Sequence, residues 1–431
     1  MESNIGQVMY GWATDLFPVN RSLTGEGVRE TLNYFKSIIP ELEIKSVPSG
    51  YKAFDWTVPD EWEIEEAYIK NQEGERIIDF KENNLHVVGY SEPVDKRLDL
   101  KELNEYLYSL PEQPDAIPYV TSYYKKRWGF CLPETQRKEL KPGQYHVVIK
   151  SRFKQGVLNY AEIVLPGKSK EEIFLSSYVC HPSMANNELS GPVVTIALAQ
   201  WLKTLNQREY TYRIVLVPET IGSIVYISKN LKELKNNVFA GFNITCIGDN
   251  RCFSYLPSRK GSTLSDEVAL HVLQHTAPGF RKYSWLDRGS DERQYCAPGV
   301  DLPLATIMRS KYGEYPEYHT SLDNLNLISP EGLQGGFNAL KKALSIIENN
   351  KILKSTVFCE PQLGKRGLYP TISVKGSANE ARKMMNFISY CDGQHSLLQI
   401  AQKIGEPVWE LYEIMEKLLE NEVLEVVNQD K

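Results

Sequence analysis

Long apolar runs, paired cysteines and a basic surplus are all lacking in this 431-residue sequence. No apolar run reaches the roughly 18 residues that a membrane-spanning helix needs. The N-terminus lacks the basic and apolar regions of a signal peptide. The seven cysteines are scattered without a Cys-x-x-Cys pair, which argues against a disulfide framework or a cysteine-held zinc. These absences predict a cytoplasmic protein with no membrane partner.

The charge balance offers little attraction for nucleic acid. The chain carries 49 Lys plus Arg against 55 Asp plus Glu, a formal net charge of −6. A surface of that sign does not draw a polyanion towards it, so we expect no nucleic-acid partner. The length predicts two or three domains.

The pattern of apolar residues changes along the chain. A helical opening is followed over 46–155 by short β-like runs between Pro-, Gly- and Asn-rich turns. From about 156 to 350, continuously apolar strands alternate with amphipathic helices, which is typical of a largely parallel sheet covered on both faces. The sequence therefore predicts an α/β fold with a separate, mostly β module.

The last part of the chain has the pattern of a winged-helix domain. Candidate helices lie at 379–390, 396–404 and 408–421, and a strand follows at 423–427. The segment that would recognise DNA, 407–422, has one lysine among five glutamates and would repel a duplex. We expect this domain to contact a protein instead, and a homo-oligomer is left open.

Candidate site residues follow the predicted strands, where ligands bind in an open α/β sheet. His181 leaves one strand, and Glu188 lies near the next helix start, so imidazole and carboxylate could share a metal. Glu219, after the neighbouring strand, could bind metal or act as general base. His319 lies in a polar, aromatic loop, where Asp323 or a backbone carbonyl could orient its second nitrogen.

Several of these residues also have ordinary structural explanations. Glu219 could cap a helix, and Arg293 could form a structural ion pair instead of holding a substrate carboxylate. The role of the nearby Asp291 is open. His271 and His275 share a helix face, but no zincin glutamate accompanies them, so we predict a structural role for that pair.

The order of short motifs resembles the zinc aminopeptidase family related to bacterial leucyl aminopeptidases. The similarity covers about half the chain. The whole arrangement also resembles a bacterial subfamily, linked to polysaccharide biosynthesis loci, with an inserted β domain and a C-terminal winged helix. The motifs are Leu158–Gly167, Cys180-His181, Asn187–Gly191, Pro218–Ser223, Gly289–Glu292 and Tyr318–Asp323.

The resemblance implies a division of the chain into three domains. The aminopeptidase-like catalytic domain would comprise 1–45 and 156–350. The mostly β domain, 46–155, would be inserted into it, and 355–431 would form the winged helix. The fold so implied is a mixed, largely parallel sheet with helices on both faces.

The match departs from the family at several acidic positions. The aspartate that orients the first histidine corresponds to Ser183, and the metal-bridging aspartate corresponds to Asn187. The paired glutamates become Pro218 and Glu219, and a further aspartate ligand falls on Thr245. Two histidines and one or two carboxylates remain, which fits one zinc ion better than two.

We therefore predict one zinc ion held by His181, Glu188 and His319, with Glu219 as general base and Arg293 binding substrate. The implied activity is that of a zinc metallopeptidase, an aminopeptidase-like exopeptidase acting on a peptide or another small amide. One alternative is an amidohydrolase, such as a deacylase acting on an amino sugar. Another is a degenerate peptidase scaffold that binds a partner or sugar nucleotide in polysaccharide biosynthesis.

Overall fold

A computed structural model describes residues 4–368 and 377–427 of the chain. These residues fall into two compact units: Met1–Asp266 with Phe280–Asn338, and Glu267–Gly279 with Ala339–Lys431. Within the described residues, no helix combines the length and apolar character needed to cross a bilayer. The three-domain boundaries implied by the resemblance stay a prediction.

The α-helices vary from single turns to five turns. In chain order they are α1 Ile5–Leu16, α2 Glu26–Ile38, α3 Leu100–Leu103, α4 Glu134–Glu139, α5 Ser190–Thr204, α6 Ile221–Asn237, α7 Leu264–Thr276, α8 Glu292–Tyr295, α9 Pro330–Asn349, α10 Ser377–Ser389, α11 Leu397–Ile404 and α12 Tyr412–Glu420.

The strands form one large sheet and several small ones. In chain order they are β1 Glu43–Pro48, β2 Lys52–Ala53, β3 Trp56–Thr57, β4 Glu61–Lys70, β5 Arg76–Asp79, β6 Val94–Asp99, β7 Leu107–Tyr108, β8 Phe130–Cys131, β9 Gln144–Lys154, β10 Val157–Leu165, β11 Glu172–Tyr178, β12 Thr211–Val217, β13 Val238–Asn243, β14 Ser254–Leu256, β15 Arg281–Lys282, β16 Leu304–Met308, β17 Ile352–Ser355, β18 Asp392–Ser396 and β19 Leu424–Val426.

The large sheet of the first unit has the order β1-β10-β12-β11-β13-β16-β14-β15. Its central strands β12, β11, β13 and β16 run parallel, whereas β1, β10 and β14 each pair antiparallel with a neighbour. Every residue of β11, β12 and β16 is buried, which explains why these strands are rich in apolar residues. The predicted α/β fold with a mixed, largely parallel sheet is confirmed.

The chain leaves the large sheet after β1 and returns to it at β10. Between them, β5-β4-β9-β6 form an antiparallel sheet, and β2-β3 and β7-β8 form two small pairs. The four-stranded sheet has its own apolar core, which includes Ile69, Val147 and Ile149. A single-turn helix, α3, follows β6.

The second unit contains the winged helix that the sequence predicted. Helices α10, α11 and α12 accompany a three-stranded antiparallel sheet, β18-β17-β19. A capping box formed by Ser396 and Gln399 begins α11, and Gly405, with φ 72°, ends it in the left-handed conformation that glycine favours. The sequence predicted the three helices and the final strand but not β17 or β18.

Candidate metal centre

His181 lies just beyond the carboxyl end of β11 and is 5% exposed. The chain turns at Ser183, whose φ is 43°, and then forms a π-helical turn at Ala185–Leu189 that leads directly into α5. Such turns recur at functional sites because they redirect side chains within a helix. Here the turn places the Glu188 side chain beside the His181 ring.

Each ring nitrogen of His181 faces a carboxylate. Nδ1 lies 2.9 Å from Oε2 of Glu188, within hydrogen-bond distance. Nε2 lies 3.6 Å from Oε2 of Glu219. Burial by itself lowers the pKa of His181, but Cys180 and Glu188 outweigh burial and raise that pKa well above its usual value.

Arg21, from the loop between α1 and α2, lies behind this pair. Its Nε is 3.4 Å from Oε1 of Glu188 and donates a hydrogen bond to the backbone oxygen of His181 at 3.0 Å. Nη1 donates to the backbone oxygen of Leu16 at 2.7 Å. The Arg21 and Glu188 side chains are both fully buried. Arg21 was not predicted from the sequence, because no local pattern connects it with His181, which lies 160 positions later.

Glu219 lies at the end of β12 in a constrained turn. The next residue, Thr220, has φ 65°, and its backbone N–H donates to Oδ1 of Asp291 at 2.7 Å. Ser223 donates to the same oxygen at 2.7 Å, and Nη2 of Arg293 donates to Oγ1 of Thr220 at 2.6 Å. Asp291 and Arg293 therefore both contact the turn that carries Glu219.

Burial changes the pKa values of Glu219 and of Asp291, which accepts hydrogen bonds from this turn. It raises the pKa of Glu219, and the charges of His181 and Arg293 act in the opposite direction. Burial, with the nearby Glu219 charge, also raises the pKa of Asp291 to about 8. Glu219 is 19% exposed, so it can still reach a bound molecule.

His319 is held by aromatic rings. Its ring stacks on Tyr318 at 3.9 Å between centroids and lies 5.1 Å from Tyr119 and 5.4 Å from His181. Nε2 is buried without a hydrogen-bond partner among the described residues. Burial lowers the pKa of His319 to about 3, and the nearby His181 adds to this effect.

Asp323 does not orient His319, although the sequence offered it for that role. Its carboxylate accepts the backbone N–H groups of Ala185, Asn186 and Asn187. Those bonds stabilise the π-helical turn instead.

A pocket of about 360 Å³ connects the predicted residues. His181, Glu219 and His319 line it together with Arg293, whereas Glu188 is fully buried behind His181. Aromatic residues from the region between β1 and β9 form much of the wall. The lining residues are Leu23, Trp56, Tyr119, Thr121, Tyr123, Tyr124, Cys180, His181, Glu219, Thr220, Ile221, Arg293 and His319.

Cys180 adds a donor that the sequence analysis discounted. Its sulfur lies 3.5 Å from Nδ1 of His181, and Cys180, His181 and Glu188 offer donor atoms within 4.8 Å of one another. Burial raises the pKa of the Cys180 thiol to about 11, which opposes the thiolate form that binds metals. The sulfur instead accepts the backbone N–H of Glu219 at 3.3 Å.

Neutral groups occupy two positions where the resemblance implies acidic ligands. The Asn187 amide donates to the Tyr178 hydroxyl at 2.9 Å, and that hydroxyl lies 2.6 Å from Oγ1 of Thr245. This cluster adds no negative charge beside His181.

Comparison with known proteins identifies relatives over nearly the whole chain. A family described as "Domain of unknown function (DUF4910)" matches residues 10–350, and a winged helix-turn-helix family matches 351–426. A Clostridium acetobutylicum protein is described as a candidate polysaccharide biosynthesis protein with an aminopeptidase-like domain. It is 44% identical over 406 residues, which cover 94% of this chain and 92% of that protein.

Solved structures give the same fold. The crystal structure of a candidate peptidase from Clostridium acetobutylicum matches with a TM-score of 0.93 and 41% identity, covering 99% of this chain and 97% of that one. A zinc aminopeptidase from Bacillus subtilis matches with a TM-score of 0.59 and 14% identity, covering 80% and 94%. The second likeness concerns the fold alone. The chain therefore belongs to the DUF4910 family and combines an aminopeptidase-like fold with a C-terminal winged helix.

Proposed function

We propose that this protein is a zinc-dependent hydrolase of the aminopeptidase type that cleaves an amide bond in a small peptide or peptide-like substrate. Nε2 of His319 carries this proposal, because it is buried in a pocket shared with His181 and Glu219 and has no hydrogen-bond partner in the described part of the chain. A buried polar atom without a partner costs free energy, and neutral imidazole nitrogen is a common zinc ligand. The aminopeptidase-like fold of the relatives supports it.

The spacing of the donors fits one zinc ion. Nε2 of His181 lies 3.6 Å from Oε2 of Glu219, so these two donors could hold the same ion. The ring centroids of His181 and His319 lie 5.4 Å apart, so both imidazoles could contact that ion. The neutral Asn187 and Thr245 argue against a second ion.

A zinc ion held by these residues would lower the pKa of a water molecule and polarise a carbonyl group. In this proposal the Glu219 carboxylate accepts the proton of the attacking water and returns it to the leaving nitrogen. Burial raises the pKa of Glu219, which makes its carboxylate a stronger base. The Arg293 guanidinium, on the pocket wall, binds a carboxylate or carbonyl oxygen of the substrate.

The aromatic wall favours a substrate with an apolar or ring-shaped group beside the scissile bond. Trp56 and Tyr124 are 37% and 58% exposed and lie edge to face, 5.8 Å apart. Exposed aromatic rings beside a pocket are typical of binding surfaces. A volume of about 360 Å³ suits one residue or one sugar ring better than a long peptide.

Zinc analysis combined with a substrate screen tests the proposal. Purified protein should contain zinc, and His181→Ala and His319→Ala should each lose it, whereas the control His146→Ala, outside the pocket, should retain it. The substrate screen then distinguishes between activities, and we expect aminoacyl anilides to be cleaved.

If only N-acyl amino sugars are cleaved, the protein is a deacylase and not a peptidase. Bound zinc with no hydrolysis would favour the binding scaffold, and unchanged zinc in the His181 variant would refute the site.

A further inference from the structure

We propose that Glu188 positions His181 instead of binding the zinc ion, and that the ion contacts His181 through Nε2. This inference rests on the function proposed above and changes the ligand set expected from the sequence. Glu188 and Arg21 form a buried pair, called the clamp here, that contacts Nδ1 and the backbone oxygen of His181. The clamp faces away from the pocket and acts on the ion only through the imidazole ring.

The hydrogen bond at Nδ1 is the first support. Oε2 of Glu188 lies 2.9 Å from Nδ1, so this nitrogen carries the proton and donates it to the carboxylate. An imidazole nitrogen that carries a proton has no lone pair for a metal. In the neutral ring, which is the form that binds a metal, this tautomer leaves the lone pair of Nε2 on the side of Glu219.

The charge of Arg21 is the second support. Its guanidinium is fully buried, 3.4 Å from Oε1 of Glu188, and also holds the His181 backbone oxygen. A divalent ion bound by Glu188 would lie close to a fixed positive charge that cannot move into solvent. Arginine does not lose its proton in proteins, so this repulsion would persist at every working pH. The cation on the Nε2 side is Arg293, which is exposed to solvent and donates a hydrogen bond to Oγ1 of Thr220.

The neighbouring donors give the third support. Ser183, two residues after His181, does not reach the ring, because its hydroxyl contacts the Phe17 backbone oxygen and the Asn84 amide. Glu188 is therefore the carboxylate that holds Nδ1. Glu219, whose Oε2 is 3.6 Å from Nε2, is the carboxylate that can share the ion, and its second oxygen remains able to accept a proton.

The test compares zinc affinity and cobalt spectra in Glu188 variants. Chelator competition on the full chain should give zinc binding about 10-fold weaker in Glu188→Gln and up to about 100-fold weaker in Glu188→Ala. Glutamine retains an acceptor for Nδ1–H, so it should rescue part of the loss. The visible bands of the cobalt-substituted protein should keep their positions in both variants, because the donor atoms are unchanged. Glu219→Gln should shift those bands.

The matched control is Glu172→Gln. Glu172 is a buried carboxylate paired with Arg213 at the opposite end of β11, so its loss should leave zinc affinity unchanged. If the wild type holds zinc but Glu188→Gln shows shifted cobalt bands or loses zinc completely, this inference is wrong. The proposed function would still stand. A wild-type protein without zinc would overturn the proposed function and this inference with it.

Anomalous scattering at the zinc edge gives a measurement that needs no variant. The peak should lie on the Nε2 side of His181, between His181 and His319. A peak on the Nδ1 side, among Cys180, His181 and Glu188, would refute the positioning role while leaving the hydrolase proposal intact.

Discussion

The carboxylate of Asp323 accepts a hydrogen bond from the backbone N–H of Asn186 at 2.6 Å. The N–H groups of Ala185 and Asn187 bond to the same carboxylate at 3.2 and 3.0 Å, and the Tyr315 hydroxyl donates to it at 2.8 Å. Asp323 is fully buried, so water does not stabilise its charge. The four hydrogen-bond donors stabilise that charge instead. It thereby fixes the loop after His181 to the loop that carries His319.

Replacing Asp323 by alanine should destabilise the fold by more than about 3 kcal/mol, because four donors would lose their shared acceptor. Urea unfolding followed by circular dichroism measures this. The control is Asp15→Ala, which removes an exposed acceptor of the Tyr34 hydroxyl and should cost less than about 1 kcal/mol. Equal losses in the two variants would contradict the role given to Asp323.

The wild-type chain should hold one zinc ion. Asn187 and Thr245 place an amide and a hydroxyl near the Tyr178 hydroxyl, where a second ion would need carboxylates. Elemental analysis after dialysis measures the ratio of zinc to protein. The double variant Asn187→Asp, Thr245→Asp should bind a second ion. Two ions in the wild-type protein would contradict the prediction.

Replacing Trp56 by alanine should raise KM by about 3- to 10-fold and leave kcat nearly unchanged, because the ring binds substrate without touching the reacting atoms. Steady-state kinetics with an aminoacyl anilide bearing a large side chain measure both constants. Phe54→Ala is the matched control, since Phe54 is 61% exposed in the same hairpin but does not line the pocket. An equal change in KM in both variants would exclude a specific role for Trp56.

The central sheet could be predicted from the sequence because its strands are buried on both faces. Complete burial gives continuous apolar runs, and β11 and β12 were found in this way. Strand β18, Asp392–Ser396, was missed because it is polar and none of its five residues is buried. Its pairing with β17 depends on tertiary context, which no local pattern records.

The proximity of two residues of the candidate site was predictable because both follow strands. His181 and Glu219 lie directly after neighbouring parallel strands, so their proximity follows from the topology. Arg21 and the aromatic wall come from distant loops, and neither spacing nor composition connects them with the site. The sequence predicted Glu188 as a metal ligand, whereas its hydrogen bond to Nδ1 of His181 could be found only in the structure.

His271 should make the second unit less stable in mild acid. Its Nε2 accepts the backbone N–H of Val408 at 3.0 Å, so the ring is neutral in the folded chain. Burial, with the neighbouring His275, lowers the pKa of His271 to about 4. An unfolded histidine titrates near 6.5, so between these two pH values the unfolded chain binds more protons. The stabilisation is therefore complete above about pH 6.5 and is lost as the pH falls.

Urea unfolding of the full chain should accordingly show a loss of about 1–2 kcal/mol between pH 7 and pH 5, after allowance for solvent screening. His271→Gln removes the titrating group and should weaken this pH dependence, even if it lowers stability at both values. His395→Gln is the control in the same unit, because that ring is partly exposed beside Asp392. An unchanged pH dependence in His271→Gln would assign the effect to other groups.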